Sequence, residues 1–452
     1  MKKYLLIFST LVLVTSFISF WVIISGGYDK QNSTILFLKK IIPTHLARTI
    51  RYTVFIIPDL KERNKILSTQ VEKYEQSYEG RLFNKKVIIS KNKKNQYFLK
   101  EFFLPFPRLD LRLGWDATEN SKRAHYLEIV EDKVIAISGL GETIYFEKKN
   151  IFTNKLKQIK IVNNINKILD SFKAELIGIR DLYIENNDVY ISIQHKDSNG
   201  FTINMYKAKL DYDNLKFELF FKTDEYWPTY NVFSGGRIEK FLDNKILFSI
   251  GFSHVYEAPQ NKMSLLGKII SIDLLTKEYE LISYGHRNPQ GLYFLENENL
   301  IINSEHGPQG GDEINFNFLK KNKILNFGWP EVSYGSAYPG EEKLFKPYTF
   351  TKTHSELGFV EPFKYFVPAI GISELLYVKS KNTRQKGNLF VSSLRAGSIY
   401  VYEIDKNFTE ILSEDRIFFK NQRIRDIDYD AENDLFFILF EFTPSIGILK
   451  VN

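Results

Sequence analysis

The chain has 452 residues, 44% of them hydrophobic and 25% charged, a balance that supports a large folded core and excludes a disordered protein. It has no cysteine, which excludes disulfides, thiolate metal sites and a cysteine nucleophile and leaves any chemistry to histidine, carboxylates or a cofactor. The formal net charge of +7 is spread along the length without a basic helix, so nucleic acid is not an expected partner; it does suit an anionic cofactor.

Residues Tyr4 to Ser25 form an uncharged run of 22 behind Lys2 and Lys3. At 1.5 Å per residue such a helix crosses ~30 Å of hydrocarbon, so residues 1–25 read as an N-terminal membrane anchor. A cleaved signal peptide is the competing reading, but its apolar region is usually only ~7–15 residues and ends in an A-x-A-like site, which is not seen here. The two lysines place the short flank inside and the bulk of the chain outside the cytoplasm, periplasmic or extracellular. Residues 26–84, apolar at first and then polar and helix-compatible, read as a juxtamembrane stalk, either packed on the following domain or lying on the lipid surface.

From residue 85 to 452 the pattern turns period-2 and rich in Ile, Val, Phe and Tyr, which predicts strands. One theme recurs, an apolar strand, a polar turn and a second apolar strand, beginning at Tyr126, Asp181, Arg237, Gly291, Leu375 and Asp426. The starts lie 55, 56, 54, 84 and 51 residues apart, a period that fits four-stranded blades with one insertion around Tyr334–Phe366. Six hairpins that cannot each bury both faces must pack radially. The expected fold is all-β, a six-bladed propeller, with the C-terminal strand closing the ring near the start of the domain.

Loops at one end of a propeller converge, so residues just outside different hairpins can meet. Four stretches there carry polar residues: Phe233 to Arg237, Arg287-Asn288, Ser393 to Gly397 and Arg423 to Asp426. Arg423 and Arg425, at i and i+2, leave one face of an extended segment, where two guanidinium forks can grip carboxylates. The residues alone leave equally open an ion-pair motif between blades.

Between residues 285 and 330 the chain reads GHRNPQGL, then EHGPQGGDEIN, then NFGWP. Two motifs of this length, in order and so spaced, resemble the glucose/sorbosone dehydrogenase family, quinoprotein aldose dehydrogenases that use pyrroloquinoline quinone (PQQ) and calcium, and the resemblance runs from about Leu176 to the C-terminus. It implies a six-bladed propeller that oxidises a small-molecule sugar or related alcohol by hydride transfer and passes the electrons to an acceptor it leaves unspecified. It places Arg287 and Asn288 beside the quinone carbonyls, Arg423 and Arg425 on the cofactor's carboxylates, and Arg395, where Lys is usual, at a further cofactor contact. Gly307 and Pro308 match the family's backbone carbonyl ligands for Ca²⁺. His286 reads as a structural neighbour, and Asp312 and Glu313 as hydrogen-bonding supports of the loop. One position departs: where the family's sugar dehydrogenases carry the histidine that takes the hydroxyl proton, this chain has Phe233. Asp224, Glu225 or a water are the substitutes the sequence offers, and a propeller that kept the scaffold to bind a ligand or partner without catalysis is the alternative function.

Overall fold

The computed structural model describes residues 79–91, 96–106, 124–320, 323–338, 353–379, 387–420 and 422–451. The segments expected to form a membrane anchor at 1–25 and a stalk at 26–84 lie wholly or nearly wholly outside these residues, and among the described residues no helix is long and apolar enough to cross a membrane. The first described strand, Glu79–Ile89, starts before residue 85, where the sequence put the domain boundary.

Six sheets, antiparallel but for one short parallel pair in each of two, make the expected propeller. Each blade opens with one of the six hairpins seen in the sequence: His125–Val130, Glu175–Glu185, Gly235–Phe241, Pro289–Leu295, Ile372–Lys379 and Ile424–Asp430 are the innermost strands of blades 1 to 6. Each innermost strand packs against that of the next blade, and the sixth returns to the first. Closure pairs an early strand of the propeller with its last: Gln96–Phe103 runs antiparallel to Ser445–Val451, from Phe103 opposite Ser445 to Tyr97 opposite Val451.

The core lies between blades, and period-2 side-chain alternation assigns each residue to one of two such layers. In the strand Leu435–Phe440, LFFILF, all six residues are buried. Phe436, Ile438 and Phe440 pack toward blade 5, whereas Leu435, Phe437 and Leu439 pack toward blade 1. At roughly 1.5–3 kcal/mol for each large apolar side chain fully buried, such strands hold the ring together without a linker or disulfide.

The innermost strands are not regular. In five of the six blades the pairing register slips near the start of the innermost strand, between Ile179 and Asp181, Gly235 and Ile238, Pro289 and Gly291, Ile372 and Leu375, and Ile424 and Asp426. A bulge kinks a strand and re-aims a side chain. Here the residues passed over include Arg180, Arg237, Gln290, Glu374 and Arg425, and matching bulges thus supply the polar groups around the propeller axis.

Candidate functional site

Arg237 is the hub of those groups. It is 4% exposed and its guanidinium meets Asp181 at 2.6 Å, Glu374 at 2.9 Å and Asp426 at 3.3 Å, carboxylates from blades 2, 5 and 6. Its Nε donates to the carbonyl of Gln290 in blade 4. One cation among three buried carboxylates leaves them short of counter-charge; burial first, with the neighbouring acids, pushes Asp181 up to about 7 and Glu374 to about 8 against the pull of Arg237. Asp426 also accepts from the backbone N–H of Leu127, tying blade 6 to blade 1. This cluster joins all six blades at the axis.

Arg423 and Arg425 have an internal partner in common. Glu441, 4% exposed at the turn after the Leu435–Phe440 strand, accepts from Nε of Arg425 at 2.6 Å and from Nε of Arg423 at 2.8 Å. Burial alone would raise this carboxyl; Arg425 and Arg423 hold it down to about 2. Arg425 also donates from Nη1 to Oε1 of Gln290 at 3.0 Å, Gln290 donates to Oδ1 of Asn288 at 3.2 Å, and the same Oδ1 accepts from the N–H of Gly235. This chain of bonds joins three of the four stretches that the sequence singled out. The Glu441 ion pair lies within blade 6, but the same Arg423 to Asp426 stretch also links blades: Arg425 reaches Gln290 of blade 4 and Asp426 pairs with Arg237 of blade 3.

The stretch from His286 to Asn288 is set by Glu305, which the sequence did not single out for this. Its Oε2 accepts from the backbone N–H of Arg287 at 2.7 Å, and its Oε1 lies 3.1 Å from Nδ1 of the fully buried His286, whose Nε2 meets Ser283 at 2.8 Å. His286 is thus saturated by neighbours, as a structural residue should be. The Arg287 guanidinium leaves this anchor to lie 4.6 Å from the ring centroid of Phe233, 5.1 Å from Trp329 and 5.5 Å from Phe252, and donates from Nη1 to the carbonyl of His306. An aromatic box around a cation keeps it charged while stripping its water.

The Phe233 loop is zipped to the loop that follows the next strand. The N–H groups of Gly251 and Ser253 donate to the carbonyls of Ser234 and Phe233, and Asn231 donates to the carbonyl of Ser253. A Cβ on Gly251 would stand 2.0 Å from the Phe233 carbonyl, so only glycine permits this approach. The zipper sets His254 against Phe233, ring centroids 4.7 Å apart, and 5.4 Å from Phe252. Of the substitutes the sequence offered, Asp224 is exposed and paired with Lys222, and Glu225 accepts from the N–H of Leu265. Neither is joined to the Arg287 box by these contacts.

A pocket beside Arg287 is lined by Glu305, His306, Gly307, Trp329, Ser333 and His354. Gly307 sits in a loop so tight that a Cβ there would lie 2.1 Å from the Gly311 carbonyl. Asp312 fastens this loop: Oδ1 accepts from Gly307, and Oδ2 accepts from Gly371 and Ile372 at 2.7 and 3.0 Å. Gly371 in turn packs on Arg395, whose backbone N–H bonds to Ile370 while its side chain is exposed. Asp312 therefore links the loop of Gly307 and Pro308 to the turn of Arg395. Glu313 points to His354, 3.5 Å away, and burial lifts its carboxyl well above the carboxylate range. Among the described residues no donor reaches the carbonyl oxygens of Gly307 or Pro308, and no group of three or more His, Asp or Glu forms a cation site.

An uncharacterized protein of Synechocystis sp. is 29% identical over 276 residues, 56% of this chain and 64% of that protein. The aldose sugar dehydrogenase of Escherichia coli is 30% identical over 177 residues, 38% of this chain and 44% of the relative. The matches thus span less than two thirds of these curated relatives. The PQQ-bound form of an aldose sugar dehydrogenase from Streptomyces coelicolor shares the fold, with a TM-score of 0.53 and 17% identity over 78% of this chain and 98% of that one. The sequence profile of the glucose/sorbosone dehydrogenase family matches residues 150–442, from blade 1 to the Glu441 turn, and the chain belongs to that family.

Proposed function

We propose that this protein is a PQQ- and calcium-dependent dehydrogenase that oxidises an aldose or a related small alcohol. The observation that carries the reading is the RxR pair: Arg423 and Arg425 turn their guanidinium groups to one side and both bind Glu441, at a point bonded through Gln290 to Asn288. A further cation, Arg287, stands in the aromatic box next to the same stretch. That arrangement fits a polycarboxylate with a polar quinone edge. Arg423 and Arg425 would hold carboxylates, with Arg395 as an outer contact; Arg287 and Asn288 would face the quinone oxygens, where positive charge and an amide donor favour developing negative charge. The carbonyls of Gly307 and Pro308 fit a hard cation that takes oxygen donors, with water and the cofactor completing its shell. When bound, PQQ supplies a two-electron acceptor; the protein's residues orient it, keep Arg287 charged and exclude water with Phe252 and Trp329. The apolar run at 4–25 supports membrane attachment with the propeller outside the cytoplasm.

The test is titration of the purified full chain with PQQ and Ca²⁺, followed by absorbance. Saturable binding with a displaced quinone spectrum is expected, and an unchanged spectrum at all ratios sinks the reading. A second reading, a propeller that binds a ligand without turning it over, is supported by Phe233, which offers no proton acceptor where the family's dehydrogenases carry histidine.

A further inference from the structure

Oxidation of an alcohol to a carbonyl needs a group that takes the hydroxyl proton. Phe233 cannot, and the carboxylates nearest in sequence are engaged with Lys222 and the Leu265 N–H. His254 is the titratable ring that the fold returns to this spot. It is half-buried, contacts Phe233 and Phe252, and stacks at 18° with Tyr256. Among the described residues no hydrogen bond is made by its ring, in contrast to His286, where Glu305 and Ser283 meet the two nitrogens.

Its backbone is unusual too. Ser253 and His254 both sit in the left-handed region, at φ 49° and 63°, a conformation that non-glycine residues adopt infrequently and that tends to persist at functional sites. The strain is held by the zipper to the Phe233 loop, including the Ser253 N–H bond to the Phe233 carbonyl.

We propose that His254 is the catalytic proton acceptor of this chain, displaced along the sequence from the position that Phe233 fills. The inference rests on the dehydrogenase reading above. The substrate O–H proton passes to a ring nitrogen of His254, the carbinol C–H hydrogen leaves with its electron pair to the bound quinone, and C–O becomes C=O. The alcohol loses two electrons, the quinone gains them, and no further reactant is consumed. The charged and titratable groups grouped with His254 are Arg287, across Phe233, and Tyr256 on its own loop. Burial, and after it Arg287, lowers the imidazole to about 4, so the ring is neutral and ready to accept. An anionic cofactor seated against Arg287 offsets that charge and raises the basicity of the ring.

The test uses full-length protein with isotope-labelled histidine. Seven histidines give seven imidazole signals, and His254→Gln identifies the relevant one. Its titration midpoint is expected to rise by about one pH unit or more when PQQ and Ca²⁺ bind, a readout that does not depend on turnover. In loaded protein His254→Gln should keep PQQ affinity within about twofold yet lose ~10²-fold in kcat and the acid limb of its pH profile. His254→Gly, which suits the positive φ, should recover activity with added imidazole. A midpoint that PQQ leaves unmoved, a wild-type pH profile in His254→Gln, or a loaded wild type that turns over no alcohol each overturns the role while PQQ binding stands. Absence of PQQ binding removes the dehydrogenase reading and this inference with it.

Discussion

Arg425 faces Glu441 inside the protein, Nε to Oε1 at 2.6 Å, and Arg423 takes the other oxygen of the same carboxylate. An internal acid thus occupies part of the surface that would receive a cofactor carboxylate. A charge-assisted hydrogen bond is worth ~1.5–3 kcal/mol, so Arg423→Ala, the less buried of the two, should weaken PQQ binding by about tenfold or more in calorimetry. Glu441→Gln should move the other way, tightening PQQ by a similar factor because the internal acid that competes for both guanidinium groups loses its charge, provided the affinity is measured well below the unfolding temperature. Unchanged affinity in both variants removes the carboxylate-anchoring role.

Glu441 also makes a prediction about acid stability. Its ordinary value is 4.5 and the folded value about 2. For an acid depressed on folding, the contribution is complete above pH ~4.5 and is lost as pH falls toward ~2, worth roughly 3 kcal/mol across that window. Denaturant titrations should show wild type more stable than Glu441→Gln at pH 6, with the gap roughly halved at pH 3 and closing as the pH approaches 2. A gap that does not change with pH would mean that the pair acts by shape rather than charge.

At the axis, Arg237 neutralises a site to which blades 2, 5 and 6 each bring a carboxylate. Breaking a buried pair by removing one partner costs about 3–5 kcal/mol. Arg237→Met should therefore lower the melting temperature strongly at alkaline pH, where the buried acids must ionise without a counter-charge, while the double change with Glu374→Gln should recover part of the loss there. If the double variant melts no higher than the single one, packing and not charge explains the defect.

The blades were legible because each innermost hairpin repeats apolar alternation around a polar turn, and burial on both faces makes that pattern dense, as in LFFILF. Closure was legible only at one end. The strands Glu79–Ile89 and Gln96–Phe103 complete the last blade through pairing with a strand more than 300 residues away, and no local period marks such a partner. The motif residues around 286–312 were visible as clusters, and Asp312 as a loop support is what the structure shows. What the sequence hid is how residues share partners. Spacing shows Arg423 and Arg425 on one face but not Glu441, which returns on the neighbouring strand. The five bulges that aim Arg237, Gln290 and Arg425 at the axis break the period-2 rule and carry no composition signal. His254 looked remote because it follows another strand; the pairing of Gly235 with Ile250 brings its loop back on Phe233.

That adjacency makes Phe233 the position at which chemistry can be restored. Its ring lies on the Arg287 guanidinium at 4.6 Å and beside His254 at 4.7 Å, so an imidazole placed there enters the same box. Replacing the phenyl ring gives up a cation–π contact worth about 1 kcal/mol and some packing on Phe252, a loss a large propeller absorbs. Positioned acid–base catalysis contributes 10²–10⁴-fold, or ~3–5 kcal/mol of barrier. In a His254→Gln background, from which the native acceptor has been removed, Phe233→His should raise aldose-dependent dye reduction by PQQ-loaded protein at least ~10-fold. In the wild-type background the gain should be smaller, because His254 already serves. A rise of equal size in both backgrounds would show that His254 carries no proton, and no rise in either would show that the ring of residue 233 does not face the reacting hydroxyl.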